Sequence, residues 1–365
     1  MVEIRLVKHA EKRDELLDLF RSSFGHDISA ELWNWKYLQN PLASVDPEVI
    51  VATDGSNIVG ARPFLPTGMW IGDEKRRVAQ PCDIMVALDY RRQNVSSRMR
   101  HFAIDYFKAN GYAFLYGFPN AMYLGEFLKQ GGKIVSNTSL LFQVVNPQKL
   151  MSCKLKNRFF GNLAGCFYDI FLNVKMKDTK RVYLLSDSYQ INLFDRFTDD
   201  LRGVDALRDK SGIDLVRDET YLRWRFDQHP EHKYKYIVLK RSDQLWGYAV
   251  VSAQETLSGL IVGRIIDYLI KDGDIDCFRI LMTECLGVLR KLECDTVSIW
   301  IFNKSHFREE LLKHFGFKSS IKFPYDIFFE ENYFIAQCLE ETLLEKIDIY
   351  NKSNWGVTCA YPDTM

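Results

Sequence analysis

Apolar and polar positions follow the same rhythm in two distant parts of the chain. In EVIVATDGSNIVGARPF (48–64) an apolar run, a polar turn and a second apolar run open on Gly60. KYIVLKRSDQLWGYAVV (235–251) repeats that order, its second run opening on Gly247. β-Branched runs split by a turn cluster predict a β-hairpin in each case. Downstream, 111–133 and 294–318 each read as a buried strand, an Asn (Asn120, Asn303), a short amphipathic helix and a glycine turn (Gly131-Gly132, Gly316). Between hairpin and Asn lie a strand and a helix, 80–88 with 95–110 and 261–270 with 275–292.

A short motif precedes each hairpin. WKYLQNP begins at Trp35 and WRFDQHP at Trp224, 189 positions later. Three matched features in one order predict a duplicated unit rather than a chance match. Each half reads strand, helices carrying the Trp motif, hairpin, strand, helix, strand, helix, strand. The expected division is an N-terminal unit 1–145, a helical linker 146–180, a C-terminal unit 181–330 and a helix with tail, 331–365. The linker contains an apolar helix over Lys149–Val174, and Leu140–Val145 is a strand of the first unit. The tail reads as a helix over Ala336–Ile349 and an extended, aromatic end, WGVTCAYPDTM.

Composition narrows the class. The chain has 365 residues, more than one core normally serves, so two domains are expected. Lys plus Arg (48) balances Asp plus Glu (48), which gives no bulk attraction to nucleic acid. No CxxC pair and no zinc-spaced Cys/His group occurs among the eight cysteines, so no metal is expected. The N-terminus carries charge from its third residue, and no apolar run reaches the ~20 residues of a membrane span. A cytoplasmic protein in a reducing compartment is the expectation.

Residues 83–100, DIMVALDYRRQNVSSRMR, hold the candidate chemistry. A strand running through a polar turn into a helix aims free N–H groups and a positive dipole end at one point, which suits phosphate. Arg91, Arg92, Arg98 and Arg100 add charge suited to a diphosphate. This stretch resembles the phosphate loop of the GNAT superfamily of N-acetyltransferases, Arg/Gln-x-x-Gly-x-Gly/Ala. Here it reads Arg91-x-x-Asn94-x-Ser96, with both glycines replaced. The family's second pattern, N-x-x-A-x-x-x-Y-x-x-x-G-F, fits from Asn120 by spacing, with Phe127 at the Tyr position.

The resemblance implies an α/β (α+β) chain of two tandem acyl-CoA N-acyltransferase folds, each a mixed sheet flanked by helices. It is similar to acetyltransferase-like proteins of surface-polysaccharide clusters and to acetyltransferases of the enhanced-intracellular-survival type. Acetyl-CoA is the implied cofactor. Val86, Ala87 and Leu88 would lie along the pantetheine. Arg91, Arg92, Gln93, Asn94, Val95, Ser96 and Ser97 would hold the phosphates, with Asn120 and Phe127 along the CoA arm. Asp83 is the candidate base. Tyr123 and Tyr116 are candidate acids, because the phenyl ring of Phe127 has no proton to give. Trp33 and Trp35 are candidate substrate contacts; core packing is the alternative for both. In the survival-type proteins the chain end reaches the first active site, which would bring Asp363 or the terminal carboxylate to the amine. The second half carries Asp272, Asp274 and Asp276 where phosphate would sit, so no CoA is expected there.

The leading expectation is an acetyl-CoA-dependent N-acyltransferase acting on the amine of a small molecule, such as an amino sugar of surface-polysaccharide synthesis. A non-catalytic tandem scaffold and an aminoacyl-tRNA-dependent peptidyltransferase are the alternatives.

Overall fold

The computed structural model describes residues 1–119, 121–138, 140–150, 189–302, 306–320 and 332–362. Asn120, Asn303, Asp363 and the linker helix beyond Leu150 lie outside the described residues.

The first half runs β1 (Glu3–Lys8), α1 (Arg13–Phe24), α2 (Ala30–Trp33), β2 (Glu48–Asp54), β3 (Asn57–Arg62), β4 (Phe64–Ile71), β5 (Glu74–Pro81), β6 (Met85–Val86), α3 (Val95–Ala109), β7 (Phe114–Gly117), α4 (Ala121–Lys129) and β8 (Lys133–Thr138). After β9 (Leu140–Val144) the second half runs β10 (Gln190–Phe194), β11 (Ile213–Leu215), α5 (Glu219–Leu222), β12 (Tyr234–Arg241), β13 (Gln244–Glu255), β14 (Ile261–Ile270), α6 (Ile275–Lys291), β15 (Thr296–Trp300), α7 (His306–His314) and β16 (Lys318–Ser319). β17 (Asn332–Cys338) and α8 (Leu343–Lys346) follow.

The expected hairpins are β2–β3 and β12–β13, both antiparallel, with register shifts at Ala52/Thr53 and Leu239/Lys240. The repeated Trp motif has the same local structure twice. Ser29 caps α2 by accepting the Leu32 N–H, and Asp218 caps α5 by accepting the Tyr221 N–H. Each short helix then widens into a π-helical turn, Asn34–Leu38 and Arg223–Asp227. The caps leave the chain no slack at the start of the turn, so both Trp residues emerge at one fixed angle.

Strands are exchanged between the halves. β9 lies between β15 and β16 of the second-half sheet, with Thr296 opposite Val144 and Lys318 opposite Phe142. β17 lies between β7 and β8 of the first, with Ile335 opposite both Gly117 and Ile134. β11 also crosses over, extending the first half through β4. Two expectations are corrected here. The strand at 140–145 pairs with the second half, not with the unit that precedes it in sequence. The tail helix expected over Ala336–Ile349 is a strand to Cys338 and only four helical residues, Leu343–Lys346. β7 and β8 face each other across a gap whose N–H and C=O groups need partners. Pairing there outweighs a weak helical preference.

Between the halves lies an apolar core drawn from both, including Trp35, Phe114 and Tyr116 with Trp224, Tyr248, Phe334 and Trp355. The chain end threads into it as a strap. Gly356 N–H bonds the Ile213 carbonyl, Thr358 Oγ1 donates to Asp267, Tyr361 Oη donates to Asp214, and Arg225 donates to the Pro362 carbonyl. Arg217 forks both carboxylates, at 2.8 and 3.0 Å to Asp267 and 2.6 Å to Asp214. A buried charge set of this kind survives only with its donors and acceptors matched, which fixes the path of the strap.

Candidate functional site

The candidate site lies where β6 gives way to α3. The strand that begins as β5 is broken at Asp83, whose φ of 43° turns the backbone before β6 resumes beside β3. Ala87 N–H bonds the Val59 carbonyl at 2.9 Å, which fixes the strand end. Val86 and Ala87 are partly exposed and Leu88 is 67% exposed, so this edge is open to a ligand. A 3₁₀ turn, Leu88–Tyr90, leads into the loop.

Positive φ falls on Arg92 (62°) and Asn94 (60°). Asn takes the left-handed region more readily than other non-glycine residues, so Asn94 keeps the turn without the family's glycine. α3 begins at Val95 with no side chain capping it. Its first intrahelical bond from beyond the turn is Arg98 N–H to Asn94 O, at 3.0 Å. The N–H groups of Val95, Ser96 and Ser97 precede that bond, at the positive end of the helix. Arg92 is exposed beside them. Arg91 folds back instead: its Nε donates to Val86 O and its Nη2 to Ser23 O, which ties the loop to the end of α1. Gln93 likewise braces the turn through Asp89 O.

Beneath the loop is a pair of buried arginines that sequence reasoning missed as a unit. Arg62, 1% exposed, donates to Ser96 O and Oγ, to the Tyr123 hydroxyl at 2.8 Å and to Glu126 at 3.2 Å. Arg100 donates to Glu126 O and to Gln337 Oε1 of the exchanged strand β17. Burial, with Arg62 nearby, pulls the Arg100 guanidinium below its ordinary value. One set of charge-assisted bonds thus joins the loop, α4 and β17. The sequence signal is an arginine closing the apolar strand NIVGAR. Ser97 Oγ accepts from Gln130, whose carbonyl accepts from Gln337.

Several expected site residues have other duties. Phe127 is 0% exposed, with the Arg100 guanidinium 4.3 Å from its ring centroid. A Cβ on Gly132 would come within 2.0 Å of that ring. Phe127 therefore packs against a bare glycine rather than facing a ligand. Trp33 is buried against Tyr37 and His9. Trp35 is buried against Trp224. Neither tryptophan reaches an open acceptor site; apolar area this large is worth more in the core. Tyr116 is buried too, donating to the Tyr361 carbonyl of the strap. Asp83 accepts from Lys36 Nζ at 2.7 Å and from the Tyr37 hydroxyl at 2.5 Å. It anchors the strand break to the first Trp motif and is not a free base. Tyr123, partly exposed on α4, is the acid candidate left with an accessible ring.

The second half closes the corresponding point. Asp274 caps α6, its Oδ1 accepting from Asp276 N and Cys277 N, its Oδ2 from Trp246 Nε1 and the Tyr189 hydroxyl. Burial opposes ionisation, but these donors hold its carboxyl below the usual range. The helix end that would receive a phosphate already holds a carboxylate. Among the described residues no three His, Cys, Asp or Glu side chains could hold a metal, and no helix is long and apolar enough to cross a membrane.

Residues 3–132 match the family described as Acetyltransferase (GNAT) domain. No curated protein matches the chain in sequence. Solved structures share the fold over nearly the whole length. A GCN5-related N-acetyltransferase from Anabaena variabilis is 10% identical with a TM-score of 0.61, over 93% of this chain and 74% of that one. A conserved protein from Enterococcus faecalis, called a probable N-acyltransferase, is 10% identical with a TM-score of 0.63, over 94% and 74%. A tandem GNAT protein from the clavulanic acid biosynthesis pathway is 11% identical with a TM-score of 0.52, over 93% and 99%.

Proposed function

We propose that this chain, whose residues 3–132 match an Acetyltransferase (GNAT) domain model and whose fold is similar to that of a tandem GNAT protein, is an acetyl-CoA-dependent N-acyltransferase that uses the first-half site. The observation that carries this reading is the uncapped start of α3 behind a left-handed Asn94, set against the carboxylate-capped start of α6. The acceptor is a small molecule with a primary amine; an amino sugar of surface-polysaccharide synthesis fits that class.

The residues present fit the cofactor. The N–H groups of Val95, Ser96 and Ser97, with Arg92, would hold its diphosphate, and the open edge at Val86–Leu88 would hold the pantetheine. When bound, acetyl-CoA supplies an acyl thioester as the electrophile. Orientation is the protein's main contribution, because a neutral amine fixed beside the thioester needs little further help. Tyr123 is assigned the proton for the departing sulfur. Arg62 donates to the same oxygen, so the phenolate left behind keeps a charge-assisted partner. Asp83 and Lys36 hold the strand break and so the direction of the strand edge.

A second reading has its own support. With Asp83 ion-paired and phenylalanine at 127, the fold would hold an acyl-CoA without transferring its acyl group. One assay separates the two. The full chain is given acetyl-CoA and a panel of alkyl amines and amino sugars, and release of the CoA thiol is followed. The enzyme reading expects turnover with at least one amine. It also expects Tyr123→Phe to lower kcat by roughly 100-fold or more with KM for acetyl-CoA little changed. Binding of acetyl-CoA without turnover on any amine would leave the binding-module reading in its place.

A further inference from the structure

The second half keeps a cleft even though its phosphate point is closed. A cavity of about 610 Å³ lies between the end of β14, the loop after it, the segment 206–214 and the strap at Asn354–Thr358. That is the volume of an ordinary small-molecule site. Tyr268, Phe302 and Trp355 give it aromatic walls.

Its polar lining is unequal. Asp214 is held by Arg217 and Tyr361, and Asp209 accepts from Ser211. Asp272 is exposed at the loop. Against these stand three cations, Lys210, Arg208 and Arg308. Arg308 hydrogen-bonds Tyr268. Arg208 is 8% exposed, its Nη2 donates to Gly72 O and Asp73, and its guanidinium lies over the Trp70 ring, 4.4 Å from the centroid.

We infer that this second-half cleft binds a small organic carboxylate with an aromatic or apolar body. The acid group would face Lys210, Arg208 and Arg308, and the body would lie along the aromatic walls. The inference does not depend on catalysis in the first half.

Fluorine NMR on the full chain tests it, with three fluorinated acids of increasing size as probes: fluoroacetate, para-fluorophenylacetate and a fluorinated indole acetate. The amine and the neutral amide of the phenyl probe serve as controls. At least one acid binds in the millimolar range or tighter, while the matched amine does not. Lys210→Glu, at an exposed position, weakens that acid by roughly 5-fold or more, and Asp272→Asn strengthens it. Saturating acetyl-CoA leaves binding unchanged. Equal binding of acid, amine and amide would overturn the inference. So would displacement by acetyl-CoA, indifference to Lys210→Glu, or no binding by any of the three acids. Turnover in the first half is scored separately, so failure here leaves the proposed function standing.

Discussion

Trp35 and Trp224 donate to each other's backbone. The Trp35 indole N–H bonds the Trp224 carbonyl at 2.7 Å, and the Trp224 indole bonds the Trp35 carbonyl at 2.9 Å. Their rings stack with centroids 5.0 Å apart and planes 15° from parallel. The motif occurs twice because the two copies meet: each half supplies the same side chain to a local two-fold contact. The π-helical turns deliver both rings at one angle, and His229 closes the stack on one side, 4.3 Å from Trp35.

Loss of either ring should therefore cost what a buried Trp costs, about 3–5 kcal/mol for Trp→Ala. The double variant should be less destabilised than the sum, with a coupling of about 0.5–1.5 kcal/mol or more from the stack and its two bonds. Denaturant unfolding of the four proteins measures this. Strict additivity would mean that the two halves do not support each other through this pair.

Strand exchange makes the halves one folding unit. The six- and seven-stranded sheets each contain a strand from outside their own half, so calorimetry should give one transition with equal calorimetric and van't Hoff enthalpies. Phe334→Ala, in the centre of β17, should lower stability by about 3–5 kcal/mol and move the whole transition. Two separated melts would refute this.

The repeat, the hairpins and the strand–loop–helix order were legible in the sequence because hydrophobic period reports them directly. The exchange was not. Leu140–Val144 has the same apolar pattern whichever sheet it joins, and partner choice depends on gaps far away in sequence. The left-handed turn at Asn94 was legible from the loop's spacing. The sequence was misleading at Trp33, Trp35, Tyr116 and Phe127, because an aromatic ring in a motif reads alike whether it lines a pocket or fills a core. Asp83 was expected on a continuous strand as a base; the strand break there, and its pairing with Lys36 from 47 residues away, were not legible.

Asn94 is expected to matter through its backbone. Asn94→Gly should keep or improve acetyl-CoA binding, since glycine takes positive φ freely. Asn94→Val should weaken it, because a β-branched residue at φ 60° costs about 1–3 kcal/mol of strain, or roughly 5- to 150-fold in affinity. Matched losses in both variants would point to the Asn94 amide rather than the turn.

Acid should destabilise the fold through buried His9 and half-buried His229. Burial lowers His9 from 6.5 to about 4 and His229 to about 3. Between those values and 6.5 the unfolded chain binds more protons than the folded one, so stability is full above pH ~6.5 and falls as pH drops toward 4. His9 accounts for up to roughly 3 kcal/mol of this. Melting temperature followed from pH 7.5 to 4.5 should show the decline, and His9→Phe, between Tyr37 and Trp33, should flatten part of it. An unchanged slope in that variant would remove His9 from the account.

The most direct test of the functional reading is a calorimetric titration of acetyl-CoA into the full chain, its Asn94→Glu variant and its Arg92→Ala variant. The account predicts one acetyl-CoA per chain, weaker binding without Arg92 and none with a glutamate in the loop. Two acetyl-CoA per chain would mean that the Asp274 cap does not exclude phosphate. No binding by the wild-type chain, or equal binding by all three proteins, would contradict the first-half site itself.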